Sequence, residues 1–153
     1  MSDAGVPEGF VAFPRGYGFN DAIAPLYYRM VDNAPEFAFR VEKHHCNPIG
    51  ICHGGVFMTF MDIALSGAIC ASLGKLVATP TISMAFDFLA GGQLGDWLRA
   101  EVQSVHTTRR LGFASGLVVG PSGPVARANG CFRLPSNLQD MPELPAASWG
   151  AAQ

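Results

Sequence analysis

Between residues 56 and 73 apolar side chains follow one another almost without interruption. At 100° per residue, Val56, Phe57, Phe60, Ala64 and Ala68 fall on one broad stripe, which predicts a long helix over residues 53–73. Asp62 lies roughly opposite that stripe, among the small residues Gly55, Thr59 and Ser66. One side of the helix therefore packs a large apolar surface. The other lets a second subunit or a ligand come close. Gly74 supplies a C-cap.

Period-two patterning flanks this helix. In residues 36–45, EFAFRVEKHH, Phe37, Phe39 and Val41 take one face and Ala38, Arg40 and Glu42 the other, as in a half-buried strand. Asn47-Pro48 and Gly50 then break it. Four more strand-like runs follow the helix, at 79–89, 96–106, 112–119 and 124–134, separated by Gly91-Gly92, residues 107–110 and residues 121–123. The last two connections are short, which predicts an antiparallel meander. Residues 20–31, NDAIAPLYYRMV, read as a short helix capped by Asn20, with Pro25 limiting its first turn. Residues 1–18 read as a loose arm, 19–135 as one domain and 136–153 as an irregular tail. The class is α+β, with the helix stripe buried on one sheet.

Composition narrows the reading. A chain of 153 residues is one domain by size. Only 14% of it is charged and 49% is hydrophobic, which points to surface buried against other subunits. A net charge of -2 argues against nucleic-acid binding. The N-terminus lacks the basic start and apolar run of a signal peptide. The cysteines at 46, 52, 70 and 131 form no CxxC, as expected of a reduced, cytoplasmic protein. The apolar run 56–73 approaches membrane-spanning length, but Asp62 at its centre is penalised by about 3 kcal/mol in a bilayer, so no membrane is expected. His44, His45, Cys46, Cys52 and His53 invite a metal reading. Adjacent histidines on a strand face opposite ways, and the cysteine spacing matches no common zinc pattern.

Two features carry chemistry. Asp62 is the only formally charged residue between Lys43 and Lys75. A buried carboxylate without a basic partner is costly, and its presence marks a candidate catalytic group. Gly54 and Gly55 fall at the predicted helix N-terminus, where N–H groups lack intrahelical partners and the helix dipole favours negative charge. Without side chains, they let a carbonyl oxygen reach the backbone, which is an oxyanion-hole arrangement.

Asn47, His53-Gly54-Gly55 and Asp62 together resemble the hotdog-fold acyl-CoA thioesterases, in particular the phenylacetic-acid-type, PaaI-like branch. The resemblance spans residues 36–134 and includes the closing SGPVARANGCFRL. It implies an antiparallel sheet wrapped around one central helix, and hydrolysis of an acyl-CoA to a carboxylate and coenzyme A. No cofactor is implied, since coenzyme A is part of the substrate. Gly54 N–H would polarise the thioester carbonyl, Asn47 would hold that carbonyl or the attacking water, and His53 would fix the turn. Asp62 would be nucleophile or general base. Thr81 would orient the water. Arg109 and Arg110, helped by Arg127 and Arg133, would meet the phosphates of coenzyme A. Gly55, Phe57 and Met61 would line the acyl site with Phe19, Ile23, Leu26 and Tyr27. Eight helical steps separate Gly54 from Asp62, about 12 Å along the axis. If both act on one carbonyl, they come from two antiparallel helices of different subunits. That expects a homodimer, extended to a homotetramer by the sheet's remaining face.

Two other functions fit parts of the pattern. An acyl-thioester hydratase or dehydratase would use His53 with Asp62. A non-catalytic acyl-CoA-binding domain would keep the Gly54 turn and Arg109 without needing Asp62. Each residue also has a plain structural reading: an Asn-Pro turn for Asn47, a tight turn for Gly54-Gly55, a solvated turn for Arg109-Arg110, a strand threonine for Thr81.

Overall fold

The computed structural model describes residues 5–143. The first four residues of the expected arm and the tail beyond 143 lie outside that range.

One helix, α1 (Gly54–Leu73), lies across a seven-stranded antiparallel sheet. The strands are β1 (Val11–Ala12), β2 (Tyr27–Val31), β3 (Ala34–Arg40), β4 (Thr81–Phe88), β5 (Trp97–Thr107), β6 (Leu111–Gly120) and β7 (Gly123–Arg133). Their order is β1-β2-β3-β5-β6-β7-β4. The predicted meander is present as β5-β6-β7. β4 leaves α1, crosses to the far edge and pairs with β7, Thr81 opposite Phe132 and Phe88 opposite Ala126. This is the hotdog arrangement, and it is what places β4 beside the exposed side of α1.

The predicted stripe is buried and broader than expected. Met61, Leu65 and Ile69 join Phe57, Phe60 and Ala64 in a core closed by Phe37, Phe39, Leu98, Val118 and Phe132 from the sheet. α1 approaches β3 closely at Gly67, where a Cβ would lie 2.8 Å from the Phe37 ring. Gly74, at φ 63°, ends the helix in the left-handed region, and its N–H donates to Ala71 O and Cys70 O. By length and composition α1 is apolar enough to cross a membrane, yet half of that stretch is buried against the rest of the chain.

Several expectations are corrected. Residues 20–31 do not form a helix. Gly18–Ile23 is a 3-10 turn with no side-chain cap from Asn20, and β2 begins at Tyr27. Pro25 offers no N–H to continue a helix, and the following aromatic pair favours a strand. Asp32 (φ 50°) and Asn33 (φ 62°) then make the two-residue turn of a β2–β3 hairpin. The strand expected over 36–45 stops at Arg40, and Lys43–His45 is a 3-10 turn in which Glu42 and His45 cap one another. Ala38, expected on a solvated face, has no exposed surface. That face is covered by the arm: β1 pairs with β2, and Phe10 packs edge-to-face on Trp97 with ring centroids 5.3 Å apart. Tyr27 lies 5.2 Å from Trp97, and the Arg40 guanidinium sits over the same ring. The described part of the arm is a packed element. The described start of the tail is tied down as well, with Leu76 N–H donating to Pro142 O at 2.9 Å.

Candidate active site

The start of α1 is built by a tight turn. Asn47 N–H donates to Ile51 O at 2.8 Å, and Asn47 Oδ1 accepts from Ile49 N–H at 3.1 Å and Ile51 N–H at 3.4 Å. Its side-chain oxygen is thus spent on its own turn, as the plain reading expects. The carboxamide N–H groups are what Asn47 has left to offer a ligand. His53 is the N-cap: its Nδ1 accepts from Gly55 N–H at 2.9 Å. Accepting at Nδ1 puts the proton of a neutral ring on Nε2. Of the two glycines, Gly54 alone has an N–H without a partner among the described residues.

Gly54 opens on a cleft of about 320 Å³ lined by Asn47, Ile51, Cys52, Phe57, Phe88 and the 89–91 segment. The Phe88 ring lies over Gly54, 3.2 Å from where a Cβ would stand. Phe88, Leu89 and Ile51 were not among the sequence candidates, and Cys52 entered only through the metal reading. Alternation marks β4 as a strand but does not say that its end lies over the helix start.

Asp62 stands two turns along α1. It is half-buried in the single chain, so the cost argued for a fully buried carboxylate does not apply to one chain alone. Its partner is Thr81, whose Oγ1–H donates to Asp62 Oδ1 at 2.5 Å. Among the described residues no cation pairs with Asp62. Thr79, a rival for Thr81 on sequence, instead meets Ser66, Oγ1 to Oγ at 2.5 Å. Gly55, Thr59, Asp62 and Ser66 make a polar, small-residue line on the side of α1 away from the core, as predicted.

The basic turn stands one strand away, across the end of β7. Arg109 and Arg110 are exposed between β5 and β6. Leu134 N–H donates to Arg110 O at 2.8 Å, and Arg133 N–H donates to Pro80 O at 2.9 Å, one residue before Thr81. Both guanidiniums are without a carboxylate partner among the described residues. Arg127 differs: it is paired with Asp87 at 2.6 Å and is not free as a helper.

The expected acyl-lining residues divide. Phe57 borders the cleft from the core at 2% exposure. Met61, Ile23 and Leu26 are core residues, and Met61 has no exposed surface. Within one chain Met61 cannot touch a ligand, because the stripe it belongs to faces the sheet. Phe19 is exposed and Tyr27 packs on Trp97, on the outer face. Behind the turn, His45 donates from Nε2 to Ile23 O at 3.0 Å and accepts Glu42 N–H at Nδ1, and His44 Nε2 meets Ala24 O at 3.0 Å. Burial, and next the charge of His44, hold His45 below its ordinary pKa.

A family model described as the thioesterase superfamily matches residues 49–126, just over half of the sequence. The chain belongs to the thioesterase superfamily. The matched span includes Gly54, Asp62, Thr81, Arg109 and Arg110, and it begins two residues after Asn47. Membership makes the protein a thioester hydrolase by family. A Pseudomonas aeruginosa protein that bears the name of an esterase is 31% identical over 131 residues, covering 85% of this chain and 98% of its own length. The PaaI protein of the E. coli phenylacetic acid degradation operon superposes with a TM-score of 0.65 at 28% identity, over 75% of this chain and 89% of that one. A Streptococcus pneumoniae thioesterase-fold protein solved with coenzyme A matches in fold, with a TM-score of 0.65 at 21% identity, over 81% and 94% of the two chains. The hotdog fold and the PaaI-like kinship expected from Asn47, His53-Gly54-Gly55 and Asp62 both hold.

Proposed function

We propose that the protein hydrolyses an acyl-CoA, with each active site shared between two copies of the chain. The observation that carries this is a separation. The carboxylate with its hydroxyl partner, Asp62 and Thr81, stands eight helical steps from Gly54, whose N–H is unspent. Eight steps are about 12 Å, and one carbonyl cannot touch both. Two antiparallel copies of α1 would set Asp62 of one beside Gly54 of the other. The surface between them is suited to that. Met58, Ile82, Phe88 and Leu89 are each about half exposed around the pair, and among the described residues β4 has an unpaired edge.

In this reading the thioester carbonyl accepts from Gly54 N–H, with the Asn47 carboxamide as a second donor. Asp62 acts as general base. It takes a proton from a water steadied by Thr81, and the oxygen of that water bonds to the carbonyl carbon. The negative charge that builds on the carbonyl oxygen is met by Gly54 N–H at the positive end of α1. Collapse breaks the carbon–sulfur bond and releases the thiolate of coenzyme A. Arg109 and Arg110 would meet its phosphates. A homotetramer would use the outer sheet face, where Phe113 is exposed.

The hydratase reading is weaker, because His53 Nδ1 is already an acceptor for Gly55 N–H and the ring offers a donor rather than a base. The pure binding reading leaves the Asp62–Thr81 pair without a task. The test is release of free thiol from a panel of acyl-CoAs, for wild type and Asp62→Ala. The variant should lose about a thousandfold in kcat while still binding coenzyme A. Undiminished hydrolysis by that variant would sink the mechanism. Absorbance loss of an enoyl-CoA without thiol release would favour the hydratase.

A further inference from the structure

Cys46 and Cys52 face each other across the turn that carries Asn47. They form an isolated antiparallel bridge. The flanking bonds run from Asn47 N–H to Ile51 O and from His53 N–H to His45 O, each 2.8 Å. Bonds placed on either side make this a non-hydrogen-bonded pair. In such a pair the Cα atoms lie about 4.5 Å apart, and directly opposed side chains leave the same face. A disulfide needs Cα atoms about 4.4–6.8 Å apart, so this pair stands at the near end of the range in which a bond can close. The other two thiols, Cys70 on α1 and Cys131 on β7, have no such opposed partner.

The two sulfurs differ. Cys52 is 4% exposed, borders the cleft beside Gly54, and has its thiol pushed up to about 12 by burial and then by the neighbouring Cys46. Cys46 is the more open of the two, and its Sγ–H donates to Glu42 O at 3.5 Å. An oxidant reaches Cys46 first.

We propose that Cys46 and Cys52 are a modification site for a hydroperoxide, which joins them in a reversible disulfide that clamps residues 47–51 and slows hydrolysis at the adjoining cleft. The bond itself is independent of the reading above; its effect on hydrolysis rests on that reading. The Cys46 sulfur, having given up its proton, attacks the peroxide and the O–O bond breaks. Cys46 becomes a sulfenic acid and an alcohol or water leaves. The Cys52 sulfur then bonds to the Cys46 sulfur, the S–O bond breaks, and the oxygen leaves as water with the Cys52 proton. The dithiol is oxidised by two electrons and the peroxide is reduced by two. The usual disulfide has its Cα atoms about 5.5–6 Å apart, wider than this pair. Closure therefore pushes the two arms of the turn apart by about 1 Å, straining the Asn47–Ile51 and His45–His53 bonds that set Asn47 and Gly54. A shift of that size in positioning groups costs about a hundredfold in rate.

The experiment uses hydrogen peroxide on the reduced full-length protein, followed by alkylation of remaining thiols and mass mapping. Expected is loss of two hydrogens within the peptide holding Cys46 and Cys52, with Cys70 and Cys131 still alkylated. Amide exchange at Asn47 and His53, the donors of the two flanking bonds, should change in parallel. Acyl-CoA hydrolysis should fall at least tenfold and return with dithiothreitol, whereas Cys46→Ser should keep its rate through the same treatment. Oxidation of Cys46 to a sulfinic acid with Cys52 still alkylated overturns the proposal, as does a bond between subunits. A bond that forms and leaves hydrolysis unchanged overturns its control of the cleft. If the reduced protein cleaves no acyl-CoA, the functional reading fails, while mass and exchange still decide the bond.

Discussion

At Gly54 stability and activity pull in opposite directions. Alanine is favoured over glycine inside a helix by about 1 kcal/mol. The Cβ it adds would stand 3.2 Å from the Phe88 ring, in the space a carbonyl needs to reach the N–H. Gly54→Ala should therefore melt at or slightly above the wild-type temperature and lose about a hundredfold in kcat/KM. Thermal melts beside thiol-release kinetics check both halves, and a variant that is unstable and still active would refute the assignment. His53→Ala should behave conversely at the level of stability. It removes the acceptor for Gly55 N–H and should cost about 1 kcal/mol in denaturant unfolding. For Asp62, a single turnover in labelled water decides its role. A general base leaves label in the product carboxylate alone, whereas a nucleophile carries it into the protein. At this scale the sequence showed which residue types were suited to chemistry. It did not show how they were already engaged. Asn47 Oδ1 and Gly55 N–H are spent on residues only two to four positions away, in a turn whose shape the residue types alone do not specify, and that Thr81 rather than Thr79 meets Asp62 depends on how β4 is laid beside α1.

Among the elements, α1 was legible and the N-terminal segment was not. The helix has a continuous apolar pattern, a cap at each end and no competitor. Gly74→Ala tests its end: the left-handed φ of 63° disfavours any Cβ, and a loss of about 1 kcal/mol is expected from chemical denaturation. Residues 20–31 fail as a helix because the hairpin turn at Asp32-Asn33 lies just beyond them and pairs Tyr27 and Tyr28 with β3. A local window weighs the capping residue and misses the partner strand. The 3-10 turn that follows β3 carries a pH dependence. His45 is buried and neutral, with its folded pKa below the ordinary 6.5. Below that ordinary value the unfolded chain takes up a proton that the folded chain resists, so unfolding gains ground. Stability should be full above about pH 6.5 and fall as the pH drops toward and through the lowered folded value. The charges of His44 and Glu42 also act on it, the first lowering and the second raising the His45 pKa. Denaturant midpoints taken across that range for wild type and His45→Gln check this. The wild-type slope should flatten in the variant.

For the whole molecule, the shared-site geometry makes a prediction that single variants cannot. Asp62→Ala and Gly54→Val should each be inactive alone. Mixed and reassorted, they form dimers in which one site has both defects and the other has neither. Random exchange should restore about a quarter of wild-type hydrolysis. A site contained within one chain would restore none. In sedimentation, Ile82→Lys with Phe88→Lys on β4 should shift the protein toward monomer and lose activity together.

The sequence by itself determined the long helix, its buried stripe, the small-residue line around Asp62 and the strand-rich half that follows, because each is a local periodicity read through one or two turns. The Gly54 and Asp62 spacing was local too, and a helical rise of about 1.5 Å per residue is enough to separate them. Only the tertiary structure decided that β4 crosses to the far edge of the sheet, that Phe88 covers Gly54 while Thr81 meets Asp62, and that the end of β7 joins the Arg109-Arg110 turn on one side and the start of β4 on the other. Those neighbours are set by strand order and register, and pairings between residues tens of positions apart leave no periodic trace in either partner.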